Sequence, residues 1–108
     1  MGFSGNFTGA TLGDDPEAPG TKALFVEGRT DATDMPKAVH VILPLNGKPL
    51  TATVKKPSLV DWEVKFPAAD APLAEGAEVF VVGVATRKAP QDPFVWEASF
   101  KLVSRDPP

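Results

Sequence analysis

The chain has 108 residues, which is enough for one domain with a single buried core. Hydrophobic residues make up 43% and charged residues 23%, a composition that is ordinary for a globular protein and excludes a disordered one. The formal net charge of -3 and the lack of any large basic cluster argue against nucleic acid as a partner, and the absence of cysteine excludes disulfides and cysteine-ligated zinc.

No apolar run approaches the roughly 18 residues that a membrane-spanning segment needs, so membrane insertion is not expected. The first residues show neither the basic nor the apolar region of a signal peptide. The compartment therefore stays open between the cytoplasm, an assembled particle and a longer exported protein. The twelve prolines and nine glycines lie mostly between apolar runs, which predicts many short strands.

Residues 1–20 are rich in glycine and polar residues, and Phe3 and Phe7 are their only aromatic side chains. Two interpretations are open. The segment is either an edge strand of the domain, or an N-terminal arm that adds a strand to the sheet of a neighbouring subunit through Phe3 and Phe7. The remainder, residues 21–106, is predicted to form the sandwich domain.

The next segments predict a strand and a hairpin. Residues 22–30 alternate well enough for a strand. Residues 38–45 carry apolar side chains on both faces, as a strand inside a sheet does, and Asn46 and Gly47 form the strongest short hairpin signal. The returning strand places Leu50, Ala52 and Val54 on one face. We therefore predict a hairpin over about residues 38–56.

The second half of the chain predicts three more strands. Residues 60–66 alternate strictly between apolar and polar positions, and residues 94–102 alternate again with an apolar residue at every second position. Residues 78–87 are apolar on both faces, as in a central strand. Only residues 68–75 suit a single helical turn, because Pro72 limits its length. The fold class is thus an all-β, two-sheet sandwich of about seven strands. The predicted core includes Trp62, Val64, Phe66, Val81, Trp96 and Phe100.

The sequence contains little that suggests catalysis. His40 is the single histidine and lies in the middle of a predicted strand, and no nucleophile elbow or phosphate-binding loop is present. Asp61 and Glu63 lie on the polar side of one strand, where a glycosidase pair would need a cleft. We expect no enzyme and no cofactor. Asp14, Asp15, Asp31 and Asp34 are weak candidate ligands for calcium if their loops meet.

Several segments in chain order resemble a bacterial immunoglobulin-like domain. They are residues 26–31 (Val-Glu-Gly-Arg-Thr-Asp), 39–43 (Val-His-Val-Ile-Leu), 62–67 (Trp-Glu-Val-Lys-Phe-Pro), and 73–76 (Leu-Ala-Glu-Gly) leading to 79–85. The resemblance spans about residues 22–104 and lacks the cysteine pair and intervening tryptophan of antibody domains. It implies an immunoglobulin-like sandwich used for spacing, adhesion, surface display or virion decoration, with no catalytic residue.

Two functions therefore remain. The first is a non-catalytic structural, assembly or adhesion module of a bacterial or phage surface, fibre or virion, which acts through a protein partner or self-association. The alternative is a module that binds carbohydrate or peptide through the end loops at residues 31–36, 56–59 and 88–92. These loops contain no tryptophan or tyrosine, the residues that usually anchor recognition, so the assembly function is favoured.

Overall fold

The computed structural model describes residues 5–30, 38–45, 48–54, 61–67, 74–86 and 92–104. All regular structure in these residues is β-strand, and the strands form two sheets. The strands are β1 (Gly5–Asp14), β2 (Lys22–Thr30), β3 (Ala38–Leu45), β4 (Lys48–Thr53), β5 (Asp61–Pro67), β6 (Glu78–Thr86), β7 (Phe94–Lys101) and β8 (Val103–Ser104).

The first sheet has the strand order β5-β2-β1-β8, and the second sheet has the order β4-β3-β6-β7. Neighbouring strands are antiparallel except β1 and β8, which are parallel. Each sheet turns its apolar side chains toward the other, and the core lies between them. The predicted all-β sandwich is confirmed, and β3 and β6 occupy inner positions, as their two apolar faces indicate.

The hairpin of β3 and β4 follows the predicted register. Leu45 pairs with Lys48 across the two intervening residues, and Pro44 pairs with Pro49. In a hairpin with two residues between the strands, the residue pair next to the loop is hydrogen-bonded and the following pair is not. Pro44 and Pro49 form this second pair, so the backbone nitrogen of each points away from the other strand. Pro44 therefore ends the ladder with β6, whose last partner on β3 is Ile42. Pro49 removes a donor from the open edge of β4.

The core contains the side chains expected from the alternation, including Trp62, Val64, Phe66, Val81 and Trp96. Phe100 is partly buried and packs against them. The largest fully buried side chains are contributed by both sheets and are Leu24, Leu43, Leu102, Val26, Val39, Val41 and Val81.

Two strand pairs, one in each sheet, are built to the same pattern. In the first sheet Gly28 pairs with Trp62, Val26 with Val64 and Leu24 with Phe66. In the second sheet Gly83 pairs with Trp96, Val81 with Ala98 and Val79 with Phe100. The sequence carries the same repeat, since residues 25–28 and 80–83 both read Phe-Val-x-Gly, and residues 62–66 and 96–100 both read Trp-Glu-x-x-Phe.

Each tryptophan lies over the glycine that faces it across the strands. A Cβ added at Gly28 would fall within the ring system of Trp62, and one at Gly83 within that of Trp96. The glycines are therefore needed for the close approach of the indoles. The two indole rings meet between the two sheets, with centroids 6.5 Å apart.

The described part of the N-terminal segment is not a free arm. Residues 5–14 form β1, which pairs along its length with β2 and has a bulge between Phe7 and Gly9. The ring of Phe7 packs edge-on to Trp62 at 6.1 Å and against Trp96 at 5.6 Å. Of the two interpretations, the arm is therefore wrong for Phe7, because this side chain is used inside its own domain. Phe3 lies outside the described residues.

The end of β7 passes from one sheet to the other, a feature that the sequence did not predict. The buried Leu102 exchanges backbone hydrogen bonds with Gly76 and Ala77 at 2.9 and 2.8 Å. Val103 and Ser104 then pair with Thr11 and Leu12 of β1 in the first sheet. This crossing covers part of the outer edge of β1. Residues 68–73 of the proposed helical turn lie outside the described residues, and 75–76 form a simple turn.

Candidate interaction surface

The outer faces of the two sheets differ in polarity, although the inner faces are alike. The outer face of the first sheet is called here the charged face, and its charged side chains come from β2 and β5: Glu27, Arg29, Asp61, Glu63 and Lys65. Glu27 faces Glu63 across these strands, and Arg29 faces the oppositely charged Asp61 at 3.7 Å. This pair is largely exposed and stabilises the fold little.

Ala23 and Phe25 also lie on the charged face, yet Ala23 is fully buried and Phe25 is only 7% exposed. Phe25 pairs with Lys65, whose ammonium group reaches back to the turn between β1 and β2. The turn, residues 15–21, thus lies on the same side of the sheet as Phe25. The apolar surface of Ala23 and Phe25 is therefore shielded from water on the side of the sheet where the 15–21 turn lies.

Asp15 holds this turn in place. Its backbone amide donates to Thr21 O at 3.0 Å, and one carboxylate oxygen accepts from the Glu17 amide at 2.9 Å. The same oxygen accepts from Lys65 Nζ at 2.7 Å, and Lys65 also donates to Glu17. The Asp15 side chain is only 4% exposed. The turn is therefore fastened to β5 by a shielded ion pair and closed by its own hydrogen bonds.

Both members of this ion pair titrate away from their ordinary values. The hydrogen bond from Lys65, followed by that from the Glu17 amide, lowers the pKa of Asp15 below 3.8. The hydrogen bonds to Asp15 and then to Glu17 raise the pKa of Lys65 above 10.5. The contribution of Asp15 to stability is thus present above pH 3.8 and is lost in stronger acid. That of Lys65 is present below pH 10.5 and is lost in stronger base.

The outer face of the second sheet, called here the apolar face, has a different composition. Its central strands β3 and β6 alternate so that Ile42, Phe80, Val82 and Val84 point outward, and β7 adds Val95. Phe80 is 42% exposed and Val95 is 57% exposed. Among the described residues only Val103 is a third large hydrophobic side chain with such exposure.

Polar residues surround this apolar centre. On the β4 side, His40 of β3 pairs with Thr53, and its Nδ1 lies 3.0 Å from the Thr53 hydroxyl. On the other side, β7 contributes Glu97 and Ser99, and the Glu78–Lys101 pair lies at the far end. The outward side chains of the inner strand β6 are therefore apolar from Phe80 to Val84, with His40 and Glu97 opposite them on the neighbouring strands. The surrounding polar and charged residues form the rim of the apolar face, and its charged members carry both signs.

The open edges of the sheets are less suited to binding. Pro49 interrupts the donors at the edge of β4, and the edge strand β5 carries outward Asp61, Glu63 and Lys65. Proline and charge at an edge both oppose the addition of a further strand. The edges formed by β4 and β5 therefore both carry features that oppose the addition of a further strand.

The candidate calcium ligands do not come together in the described part of the chain. Asp14 forms an ion pair with Lys22 at 2.8 Å, and Asp15 is held by Lys65. Asp31 and Asp34 lie outside the described residues. Within the ranges that the structure describes, no group of three acidic or histidine side chains could hold a metal ion.

The predicted end loops, 31–36, 56–59 and 88–92, lie outside the described residues except for Asp92. Their described flanks can be placed, because β2, β4 and β6 end, and β3, β5 and β7 begin, at the same end of the sandwich. The aromatic cluster of Phe7, Trp62, Trp96 and Phe94 lies at this end. The Nε1 atom of Trp62 is buried and has no acceptor among the described residues.

Comparison with protein-family models, curated proteins and solved structures found no match for this chain. In the described ranges, no helix has the length and apolar character needed to cross a membrane. The functional interpretation therefore depends on the surfaces of the molecule alone. Sequence reasoning did not select Phe80 and Val95. The repeat places Phe80 at the position equivalent to Phe25 and so draws attention to Phe80, but it contains no equivalent of Val95 and does not indicate exposure.

Proposed function

We propose that the chain is a non-catalytic, immunoglobulin-like interaction module that acts in an assembly or in adhesion. The strand order supports the family. In constant-type immunoglobulin domains the first, second and fifth strands share a sheet, and the third, sixth and seventh share the other. Strands β1, β2, β5 and β3, β6, β7 are distributed in the same way, whereas β4 departs from the constant-type order, because it lies beside β3 and not in the first sheet.

The observation that carries the proposed function is the apolar face. Phe80 and Val95 expose apolar surface on the same side of one sheet, next to the half-buried Ile42, Val82 and Val84. Exposed apolar side chains that are grouped together favour contact with another macromolecule, because such contact removes their surface from water. The interaction therefore runs through the sheet face instead of the N-terminal arm.

The experiment is site-specific photo-crosslinking in the source organism. A photoreactive amino acid replaces Val95 on the apolar face in one variant and Val103 on the first sheet in the other. These valines are matched, with exposures of 57% and 53%. Position 95 is expected to give a defined protein adduct by mass spectrometry, and position 103 is not. The absence of a protein adduct at position 95, or identical adducts at both positions, would contradict the proposal.

A second function, ligand binding at the aromatic end, is favoured by one observation. The flanks of three connecting segments meet at the end of the sandwich that holds both of the chain's tryptophans. A carbohydrate or peptide bound there would change the fluorescence of Trp62 and Trp96. Titration with a glycan and peptide panel tests this alternative, and an unchanged emission spectrum throughout the panel counts against it.

A further inference from the structure

We propose that the apolar face is occupied by the same face of a second copy of this chain, which gives a dimer with two second sheets packed against each other. This inference rests on the proposed function, because it names the partner of the same surface. It is carried by a comparison of Phe80 with Phe25 and by the polarity and size of the face.

Phe25 and Phe80 occupy equivalent positions in the two repeated strand pairs. Each lies three residues before the glycine that faces a tryptophan, and each points away from the core. Phe25 pairs with Lys65, which holds the 15–21 turn, and is only 7% exposed. Phe80 pairs with Ser99, which offers no such cation, and is 42% exposed. Phe80 on the β6–β7 pair therefore lacks the shielding from water that Phe25 has on the β2–β5 pair.

The polarity of the face selects an apolar, flat partner. The outward side chains of the inner strand β6 from Phe80 to Val84, together with Ile42 of β3, carry no charge, so two copies do not repel each other there. Val95 extends this apolar surface onto the edge strand β7, beside Glu97. An acidic or basic partner would have to bury its charges against hydrocarbon, which is unfavourable. Among the described surfaces of this chain, the apolar face itself has the matching polarity, whereas the charged face does not.

The size of the face is compatible with a dimer interface. Four strands of about eight residues span roughly 19 by 26 Å, or about 500 Å² in projection, at the usual spacings of a sheet. A pleated surface with side chains exposes more than its projected area. It is thus comparable with the roughly 800 Å² that each partner buries in an interface of standard size. Packing of sheet on sheet also repeats the arrangement that already forms the core.

The test is sedimentation velocity on the purified chain from about 1 µM to about 1 mM, a range that covers weak and moderate self-association. Wild type is expected to pass from monomer to dimer as concentration rises. Val95→Glu should weaken the dimer at least tenfold, because the new carboxylate would be buried at the interface. Val103→Glu is the matched control and should leave the association constant unchanged. Melting curves confirm that both variants fold.

Three results would overturn the proposed dimer: a wild-type monomer at every concentration, a dimer that Val95→Glu leaves intact, or equal weakening by Val103→Glu. The photo-crosslinking experiment separates this failure from that of the proposed function. If the chain is monomeric and position 95 forms an adduct with a different protein, the proposed function stands and the proposed dimer is rejected. If the chain is monomeric and position 95 forms no protein adduct, both the proposed function and the proposed dimer are rejected.

Discussion

The strand pairs β2–β5 and β6–β7 are alike toward the core and different toward solvent. In both, a tryptophan covers the facing glycine, and aliphatic or aromatic pairs continue the same row. On the outside, β2–β5 carries charges and lies beside a turn held by Asp15 and Lys65. The pair β6–β7 instead exposes Phe80 and Val95. The two inner faces are alike because both pack into the same core, whereas the two outer faces differ in charge and in exposed apolar surface.

This difference indicates where to look for an interaction surface when the sequence suggests no catalytic site. A phenylalanine at the same repeat position is shielded in one sheet and exposed in the other, so exposure is not a property of the motif. It depends on whether another part of the chain supplies a cover. The surface left without a cover is the one available to a partner.

The largest expected effect concerns the shared inner faces. Gly28→Ala and Gly83→Ala should each destabilise the domain by about 3 kcal/mol, because a methyl group cannot fit under the indole without displacing it. Urea unfolding measures the free energy of unfolding of both variants. Gly9→Ala is the control, since a Cβ there meets nothing within 4 Å. If only one of the two glycines is sensitive, the equivalence of the strand pairs is wrong.

The next effect separates the outer faces. Phe25→Ala should lower the free energy of unfolding by about 3 kcal/mol, because the ring is almost fully buried. Phe80→Ala should lower that of the monomer by less than about 1 kcal/mol, since much of the ring is already in water. Measurement at low protein concentration keeps any self-association out of the comparison. Equal losses for the two variants would remove the distinction between a shielded and an exposed face.

A smaller effect is expected for the ion pair of the charged face. Lys65→Met should lower the melting temperature most between about pH 5 and pH 9, where Asp15 and Lys65 are both charged in the wild type. The difference from wild type should shrink below pH 3.8 as Asp15 is protonated, and above pH 10.5 as Lys65 loses its proton.

Lys22→Met is the control for this measurement, because the Lys22–Asp14 pair is mostly exposed, with side-chain exposures of 60% and 74%. Its melting temperature should stay close to that of the wild type at every pH. A pH-independent difference for Lys65→Met would show that the lysine acts through packing of its hydrocarbon stem instead of its charge.

The smallest effect concerns the rim of the apolar face. Thr53→Val removes the contact of the Thr53 hydroxyl with His40 Nδ1 and should cost about 0.5 kcal/mol, because both groups remain accessible to water. Urea unfolding at low concentration is again the measurement. A loss above about 1.5 kcal/mol would mean that this contact is part of the framework of the second sheet and not of its rim.

Much of the fold was readable from local patterns. The alternation in β5 and β7 placed Trp62 and Trp96 on the core side, and Asn46 and Gly47 fixed the register of the β3–β4 hairpin. The N-terminal strand was less readable, because a glycine-rich segment with Phe7 suits a free arm as well as a strand. The bulge at Phe7 and Gly9 also breaks the alternation that would have identified it.

The eighth strand could not be predicted, because two residues carry no periodicity. Val103 and Ser104 become a strand only because Leu102 is buried and turns the chain toward β1. The candidate surface was missed for a related reason. An apolar residue on the outer side of a central strand has the same local sequence whether or not another segment covers it, as Phe25 and Phe80 demonstrate.

The sequence by itself determined the class of the fold, the hairpin and the inner faces, because alternation and turn residues act between near neighbours in the chain. Only the tertiary structure decided the pairing of β1 with β2, the position of the 15–21 turn next to Lys65 and the exposure of Phe80 and Val95. These properties depend on which distant segments meet. Solvent exposure is a property of the assembled molecule, and no local pattern encodes it.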